Sequence, residues 1–304
     1  MTRLTPLTPK DFSPEILKLF DQYVHGDVSR RGFLDQAQRY LGGAAAAVAT
    51  LAALSPSFAA AQQVKPDDTR ISTRWLELDS PQGYGRVRGY LARPVQAQGQ
   101  TQSRLPSVLV VHENRGLNPH IEDITRRLAL DGFLAFAPDA LFSLGGYPGD
   151  EDKARELFGK LDANKTRADF VASARALQVL SEGNGRVGVV GFCFGGGMAN
   201  YLATQLPELA AAVPFYGGQP PAAEVAKIKT PLQIHYAGQD ERINAGWPPY
   251  EQALKAAGVA YEAHVYAGTE HGFNNDTTPR YDAEAAKLAW QRTISYFKAK
   301  LVAT

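Results

Sequence analysis

Short apolar runs alternate with longer amphipathic stretches along most of this chain. Uninterrupted apolar runs are typical of strands buried on both faces, and the stretches between them have the period of helices. The predicted strands are 107–112, 133–137, 187–190, 211–216, 232–236 and 259–266, and the predicted helices are 119–131, 150–161, 165–180, 198–206, 246–256 and 280–300. This alternation predicts an α/β fold with a mostly parallel central sheet and helices on both faces.

Two earlier segments have a different pattern. Residues 71–78 and 86–93 have strand character and are joined by the turn sequence Ser80-Pro81-Gln82-Gly83. They predict an N-terminal antiparallel hairpin at one edge of the sheet. The polar stretch 97–104 is expected to be a loop. We expect one domain from residue 62 to residue 304, a size that suits a single α/β unit.

The first 61 residues contain a separate signal. Ser29-Arg30-Arg31-Gly32 precedes a weakly apolar, alanine-rich run over 41–54, and small residues follow at 59–61. This order resembles a twin-arginine export signal, which would deliver the protein to the periplasm. The run is short for a membrane-spanning helix, so we expect no stable membrane insertion of the mature domain. The alternative is a cytoplasmic protein that retains residues 1–61 as a helical extension, with a helix over 14–24.

Charge and cysteine content restrict the possible functions. The chain has 304 residues, a formal net charge of +1 and one cysteine. A near-neutral chain gives no reason to expect a nucleic acid partner, and one cysteine excludes an intrachain disulfide or a cysteine-rich zinc site. Neither metal-ligand spacing nor a complete phosphate loop is present in the sequence. We therefore expect a small-molecule substrate and no metal or cofactor.

The single cysteine lies in a distinctive local sequence. Gly191-Phe192-Cys193-Phe194-Gly195 stands between an apolar strand and a predicted helix. Gly-x-Cys-x-Gly in that position is the thiol form of a nucleophile elbow, a sharp turn that glycines permit. The start of the helix favours a thiolate and a developing oxyanion. The sequence predicts Cys193 as the nucleophile, and the alternative is an inert buried cysteine.

A thiol nucleophile needs a base and a group that orients the base. His271 follows the last predicted strand, in a loop that can return to the elbow, and is predicted as the base. Asp240 follows the preceding strand and is predicted as the orienting acid. The competing acids are Glu241, Glu270 and Asp276. The order cysteine, aspartate, histidine is the order of triads on α/β sheets with such an elbow.

The loop after the strand 107–112 supplies further candidates. In this architecture it provides the second oxyanion donor, so the predicted donors are the backbone N–H groups of Phe194 and Asn114. Glu113 is either a structural anchor or an acceptor for the thiol proton. The predicted substrate pocket residues are Arg115, Tyr216, Trp247 and Phe273.

Taken together, these motifs resemble the dienelactone hydrolase family (carboxymethylenebutenolidases) of the α/β-hydrolase superfamily, over about residues 70–300. The motifs are His112-Glu113 with Gly116, Pro138-Asp139, Gly191 to Gly196, Gly238-Gln239-Asp240 and Gly268 to Phe273. The resemblance implies an α/β-hydrolase fold and a triad of Cys193, His271 and Asp240. It also implies that Glu113 takes the thiol proton, and that an ester or lactone opens through an acyl-thioester.

One departure from the family pattern bears on the substrate. Members of the family hold the substrate carboxylate with arginines, one of them shortly after the catalytic histidine. Here His271 is followed by Gly-Phe-Asn-Asn, and Arg280 lies further on, with Arg155 and Arg115 as candidate substitutes. The departure argues against dienelactone itself as the substrate. The alternatives are a broader esterase, a peptidase-like hydrolase, or a ligand-binding or thiol redox protein on the same fold.

Overall fold

One mixed β-sheet forms the centre of the protein in the computed structural model, which describes residues 7–95 and 104–302. Its strands are β1 Ile71–Ser80, β2 Gly85–Pro94, β3 Leu105–Val111, β4 Leu134–Pro138, β5 Gly183–Phe192, β6 Ala211–Phe215, β7 Leu232–Ala237 and β8 Tyr261–Tyr266. Their order is β1-β2-β4-β3-β5-β6-β7-β8. β1 pairs antiparallel with β2, β2 pairs antiparallel with β4, and the other neighbours are parallel. The predicted α/β fold with an antiparallel edge hairpin is confirmed.

Helices connect these strands and precede them. They are α1 Pro14–His25, α2 Arg30–Leu41, α3 Ala44–Leu54, α4 Phe58–Ala61, α5 Pro119–Leu130, α6 Glu151–Phe158, α7 Ala163–Val179, α8 Phe194–Gln205, α9 Ala222–Val225, α10 Glu241–Asn244, α11 Trp247–Ala257 and α12 Ala283–Leu301. Short 3-10 turns lie at Pro9–Asp11 and Phe142–Leu144. The helices α9 and α10 are too short to produce a period in the sequence, and we did not predict them.

Successive residues of the central strands point to opposite faces of the sheet, and each face has its own apolar core. On β3, Val108 and Val110 pack with residues of α5 and α12, whereas Leu109 and Val111 pack with residues of α7 and α8. All four of these side chains are fully buried. Helices on both faces explain why these strands are apolar without alternation.

The N-terminal helices form a third apolar cluster of their own. Its buried members are Ile16, Leu17, Leu19, Phe20, Tyr23, Phe33, Ala37, Ala47, Leu51 and Leu54. The side chain of Ser13 caps the start of α1, and Gly26 ends the helix with a φ of 91°. Left-handed backbone of this kind favours glycine. The stretch 44–61 is long and apolar enough, by length and composition alone, to cross a membrane, as N-terminal signal sequences also are.

Several element boundaries differ from those predicted. α8 begins at Phe194 rather than at residue 198, because Gly195, Gly196 and Gly197 are helical despite the low helix propensity of glycine. β5 begins at Gly183 rather than at residue 187, because its first residues pair with the start of β3. Of the predicted loop 97–104, all but residue 104 lies outside the described residues.

Candidate active site

The turn between β5 and α8 places Cys193 in a strained conformation. Its φ is 55° and its ψ is −111°, values that L-residues rarely adopt. The neighbouring glycines are required by close backbone contacts. A Cβ at Gly191 would lie 1.9 Å from the carbonyl oxygen of Gly195, and a Cβ at Gly195 would lie 2.2 Å from that of Val111. The chain at this point therefore forms the sharp elbow that the glycine pattern predicts.

Cys193 is the N-cap of α8, so its side chain stands at the positive end of a helix. Phe194 is the first residue of that helix, and its N–H has no intrahelical partner. Burial on its own raises the pKa of the thiol. The charge of His271 and the hydrogen bond with His25 outweigh that effect, and the pKa falls to about 6. The two histidines therefore favour the thiolate form of Cys193.

The predicted base and acid lie together at the same edge of the sheet. Nδ1 of His271 is 2.5 Å from Oδ2 of Asp240, and both residues are buried. Burial lowers the pKa of His271, but the Cys193 thiolate and Asp240 raise it to about 10. Nε2 of His271 is buried, and a ring nitrogen of His271 lies within 4.8 Å of Sγ of Cys193. With a pKa in this range, Nε2 carries a proton at neutral pH, which it can give to a leaving group.

A second histidine contacts the thiol, and we did not predict it. Nε2 of His25 lies 3.6 Å from Sγ of Cys193, and the rings of His25 and His271 have their centroids 4.8 Å apart. His25 is the last residue of α1, 168 positions before Cys193 in the chain. No local sequence motif marks it, because only the docking of the N-terminal helices brings it to the site.

Glu113 and Asn114 lie in the loop after β3 but face other partners. Oε2 of Glu113 accepts a hydrogen bond from Asn275, at 2.9 Å. The side-chain amide of Asn114 donates to the backbone oxygen of Val24, at 3.0 Å. Among the described residues, Glu113 has no hydrogen bond with Cys193. Asn114 does line the cavity above the thiol.

A cavity of about 1170 Å³ opens onto Cys193. Its walls include His25, Asn114, Phe194, Tyr216 and His271. Of the four predicted pocket residues, Tyr216 lines this cavity. Its backbone is strained, with a φ of 36°, and its ring centroid lies 5.0 Å from that of His271.

The other predicted pocket residues lie elsewhere. Trp247 packs against Tyr236, with ring centroids 5.2 Å apart, and Phe273 is fully buried against Tyr266. Each of these aromatic rings is used in the core rather than in the pocket. Arg115 is buried in the loop after β3, where it donates to the backbone oxygen of Val24. The pocket predictions for Trp247, Phe273 and Arg115 are therefore corrected.

Among the described residues, His25, Cys193 and His271 form a group with donor atoms of metal-binding type, all within 4.8 Å of one another. A guanidinium nitrogen of Arg242 also lies 2.9 Å from Nε2 of His25, where it places a positive charge beside the group. The arrangement fits a thiol between two imidazoles better than a metal centre.

The fold and the order of these residues define the class of protein. A nucleophile elbow after β5, an acid after β7 and a histidine after β8 on a mostly parallel sheet are the features of an α/β-hydrolase. Residues 87–301 match the dienelactone hydrolase family, and the chain belongs to that family. Residues 1–43 match a second family, described as YqhI-like.

Individual relatives agree with this assignment. A "Putative carboxymethylenebutenolidase" of Escherichia coli K12 is 35% identical over 224 residues, which are 69% of this chain and 81% of the relative. A "Putative hydrolase fragment" of the same organism is 50% identical over 116 residues, 38% of this chain and 96% of the relative. The crystal structure of a "Putative Dienelactone Hydrolase" from Klebsiella pneumoniae has a TM-score of 0.64 and 30% identity, and covers 74% of this chain and 98% of its own. The protein is a hydrolase that acts on esters or lactones.

Proposed function

We propose that this protein hydrolyses small esters or lactones through a cysteine nucleophile and an acyl-thioester intermediate. The observation that carries the proposal is the strained turn at Cys193, which presents the thiol to the cavity beside the His271–Asp240 pair. A thiolate at the start of a helix is a ready nucleophile for a carbonyl carbon. The cavity gives a small ester direct access to that sulfur.

The reaction follows from the positions of these groups. The sulfur of Cys193 attacks the carbonyl carbon, and the oxyanion is stabilised by the backbone N–H groups of Phe194 and Asn114. The tetrahedral intermediate collapses when Nε2–H of His271 protonates the leaving oxygen. Water then attacks the thioester while His271 accepts its proton, and the thiolate is released. Asp240 holds the imidazole in the required tautomer throughout.

The cavity is lined by apolar side chains and by four cationic ones, Arg155, Lys160, Arg167 and Arg242. Its apolar members are Phe158, Phe194, Met198, Tyr201, Pro220 and Pro221. Of the three arginines that the sequence offers as replacements for the family's carboxylate ligands, only Arg155 lines the cavity, and each of the three has an acceptor in the protein. Arg155 and Arg115 donate to backbone oxygens of α1, and Arg280 lies 3.3 Å from the Asp21 carboxylate. We infer that the cavity takes neutral esters and lactones, and that an anionic substrate would have to be held by Lys160, Arg167 or Arg242 rather than by these three arginines.

Hydrolysis of aryl acetates, simple lactones and a dienelactone by the purified protein tests this proposal. We expect turnover of the neutral substrates, none with Cys193→Ala, and a mass increase equal to the acyl group on Cys193 when the reaction is quenched early. Unchanged turnover in Cys193→Ala would refute the thiol mechanism. A folded wild-type protein that hydrolyses none of these substrates, while its thiol still reacts, would favour a ligand-binding or redox role.

A further inference from the structure

The thiol of Cys193 lies between two imidazoles that are oriented in a similar way. Nδ1 of His25 is 2.8 Å from the backbone oxygen of Asp21 and 3.3 Å from its carboxylate. An oxygen partner at Nδ1 fixes the tautomer and leaves Nε2 to face the sulfur. The contacts of Asp21 with His25 on α1 thus parallel those of Asp240 with His271 on the opposite side of the thiol.

We propose that His25 is a catalytic residue of this hydrolase, which takes the proton of the Cys193 thiol in the free enzyme. In that step the S–H bond breaks, the electron pair stays on sulfur, and an N–H bond forms at Nε2 of His25. The inference rests on the proposed thiol mechanism. It gives His25 the role that the family resemblance implies for Glu113, whose carboxylate is hydrogen-bonded to Asn275. It also leaves His271 free to serve the leaving oxygen and the attacking water.

The end of α1 is held in the site by groups of the hydrolase domain. Arg155 donates to the backbone oxygen of Tyr23, and both Arg115 and Asn114 donate to that of Val24. The last carbonyls of a helix lack intrahelical partners and carry partial negative charge, so buried cations suit this position well. These contacts fix the residue before His25 and thereby fix the direction of its ring.

His25 forms a wall of the cavity and does not close it. The cavity that reaches Cys193 keeps its volume of about 1170 Å³ with His25 in place. The His25 side chain retains 13% of its accessible surface, so it is largely withdrawn from water but still borders the substrate space. Because His25 contacts the thiol without closing the cavity, it can exchange a proton with Cys193 both before and after substrate enters.

The charges around His25 favour a proton on it. Burial opposes the imidazolium, whereas Asp21 and the Cys193 thiolate favour it, and together they raise the pKa of His25 to about 9. Two positive charges disfavour the His25 imidazolium. One is His271. The other is the guanidinium of Arg242, which can donate a hydrogen bond to Nε2 of His25 only when His25 is neutral. Arg242 is exposed on α10, so its side chain has room to turn to solvent when Nε2 of His25 takes a proton. Burial raises the pKa of Asp21, but His25, and after it His271 and Arg280, lower it below its ordinary value, so that this carboxylate is ionised.

This role requires that α1 stays in the mature protein. The predicted cleavage near residues 59–61 would remove it, and twin-arginine export remains a prediction. Two observations support retention. The α1 helix is bound to the hydrolase domain through its C-terminal carbonyls and through the ion pair of Asp21 with Arg280. The YqhI-like match covers residues 1–43, which include α1 and α2 and end before the alanine-rich α3.

The single cysteine permits a direct test that does not depend on substrate. The rate of Cys193 alkylation by iodoacetamide is measured against pH on the full chain, with intact mass as the readout. We expect half-maximal reactivity near pH 6 in the wild type. We expect His25→Gln, which cannot take the proton, to react about tenfold more slowly at neutral pH, with a midpoint nearer the ordinary cysteine value. The matched control is His264→Gln, the same change on half-exposed β8, which should follow the wild-type curve.

A second variant keeps the test decisive if His25→Gln does not fold. Asp21→Asn retains the backbone contact with His25 but removes the carboxylate, so the midpoint should move in the same direction by a smaller amount. A wild-type midpoint in both variants would overturn the role of His25. The role of His25 would also be overturned if the mature protein, isolated from its own host, has an intact mass that corresponds to a chain starting after residue 61.

The same experiment separates this inference from the hydrolase mechanism. A wild-type alkylation profile in His25→Gln, together with loss of turnover in Cys193→Ala, overturns the role of His25 and leaves the thiol mechanism intact. Normal turnover in Cys193→Ala refutes the thiol mechanism, whatever the alkylation profile of His25→Gln. Slow alkylation and slow turnover in His25→Gln support both.

Discussion

His271 and Asp240 meet at 2.5 Å because the loops that carry them are bonded to each other. These loops follow the neighbouring parallel strands β8 and β7, and the backbone N–H of Gln239 donates to the carbonyl of Thr269 at 2.9 Å. Asp240 has a second role, since its Oδ1 accepts the N–H of Ile243 and caps α10. One carboxylate therefore orients the base and begins the next helix.

Replacing Asp240 by asparagine separates these two roles. Asparagine is as good a helix cap as aspartate, so the cap of α10 should be kept, and any loss in the free energy of unfolding should come from the buried contact with His271. It cannot stabilise an imidazolium or enforce the same tautomer, so kcat should fall by at least about 100-fold. Steady-state kinetics and thermal unfolding of the variant measure the two effects. Glu241→Gln, an exposed neighbour on α10, is the control and should leave both unchanged. Full activity in Asp240→Asn would mean that another acid orients His271.

The pH dependence of the reaction should follow the thiol and the base. Cys193 has a pKa near 6 and is therefore protonated and unreactive below that pH, so kcat/KM should rise as the pH passes through 6. His271 has a pKa near 10, so its imidazolium remains able to protonate the leaving group until the pH approaches that value. We expect a broad plateau between these limits, measured with an ester that is stable over the range. A profile that rises only near the ordinary cysteine pKa would contradict the thiolate assignment.

Much of this site could be predicted because its parts lie at strand ends. Cys193, Asp240 and His271 each follow a strand of the parallel block, and topology brings such residues to one edge. His25 could not be predicted in this way, since it belongs to a helix outside the sheet. Trp247 and Phe273 show the opposite failure: their positions beside the triad loops suggested a pocket, but both rings pack into the core. Proximity along the chain does not determine which way a side chain turns.

The glycine run at the start of α8 offers a test of the elbow geometry. A Cβ at residue 195 would lie 2.2 Å from the carbonyl oxygen of Val111, so Gly195→Ala must displace backbone and should destabilise the fold by about 3 kcal/mol or more. At residue 197 the nearest atom would be 3.5 Å away, an ordinary contact in a helix. Gly197→Ala should therefore be neutral or stabilising by up to about 1 kcal/mol. Chemical denaturation of both variants checks this, and equal stabilities would argue against the tight packing of Gly195 on β3.

Substitutions at Glu113 distinguish a structural anchor from a proton acceptor. Its carboxylate accepts a hydrogen bond from Asn275, and glutamine can accept the same bond through its amide oxygen. If Glu113 is an anchor, Glu113→Gln should retain kcat/KM within about threefold, whereas Glu113→Ala should lose about 1–2 kcal/mol of stability because Asn275 is left without its acceptor. If Glu113 instead takes the thiol proton, the glutamine variant should be as impaired as His25→Gln in both turnover and thiol alkylation. Since glutamine keeps the hydrogen bond but cannot accept a proton, a large loss in that variant would return the proton-accepting role to Glu113.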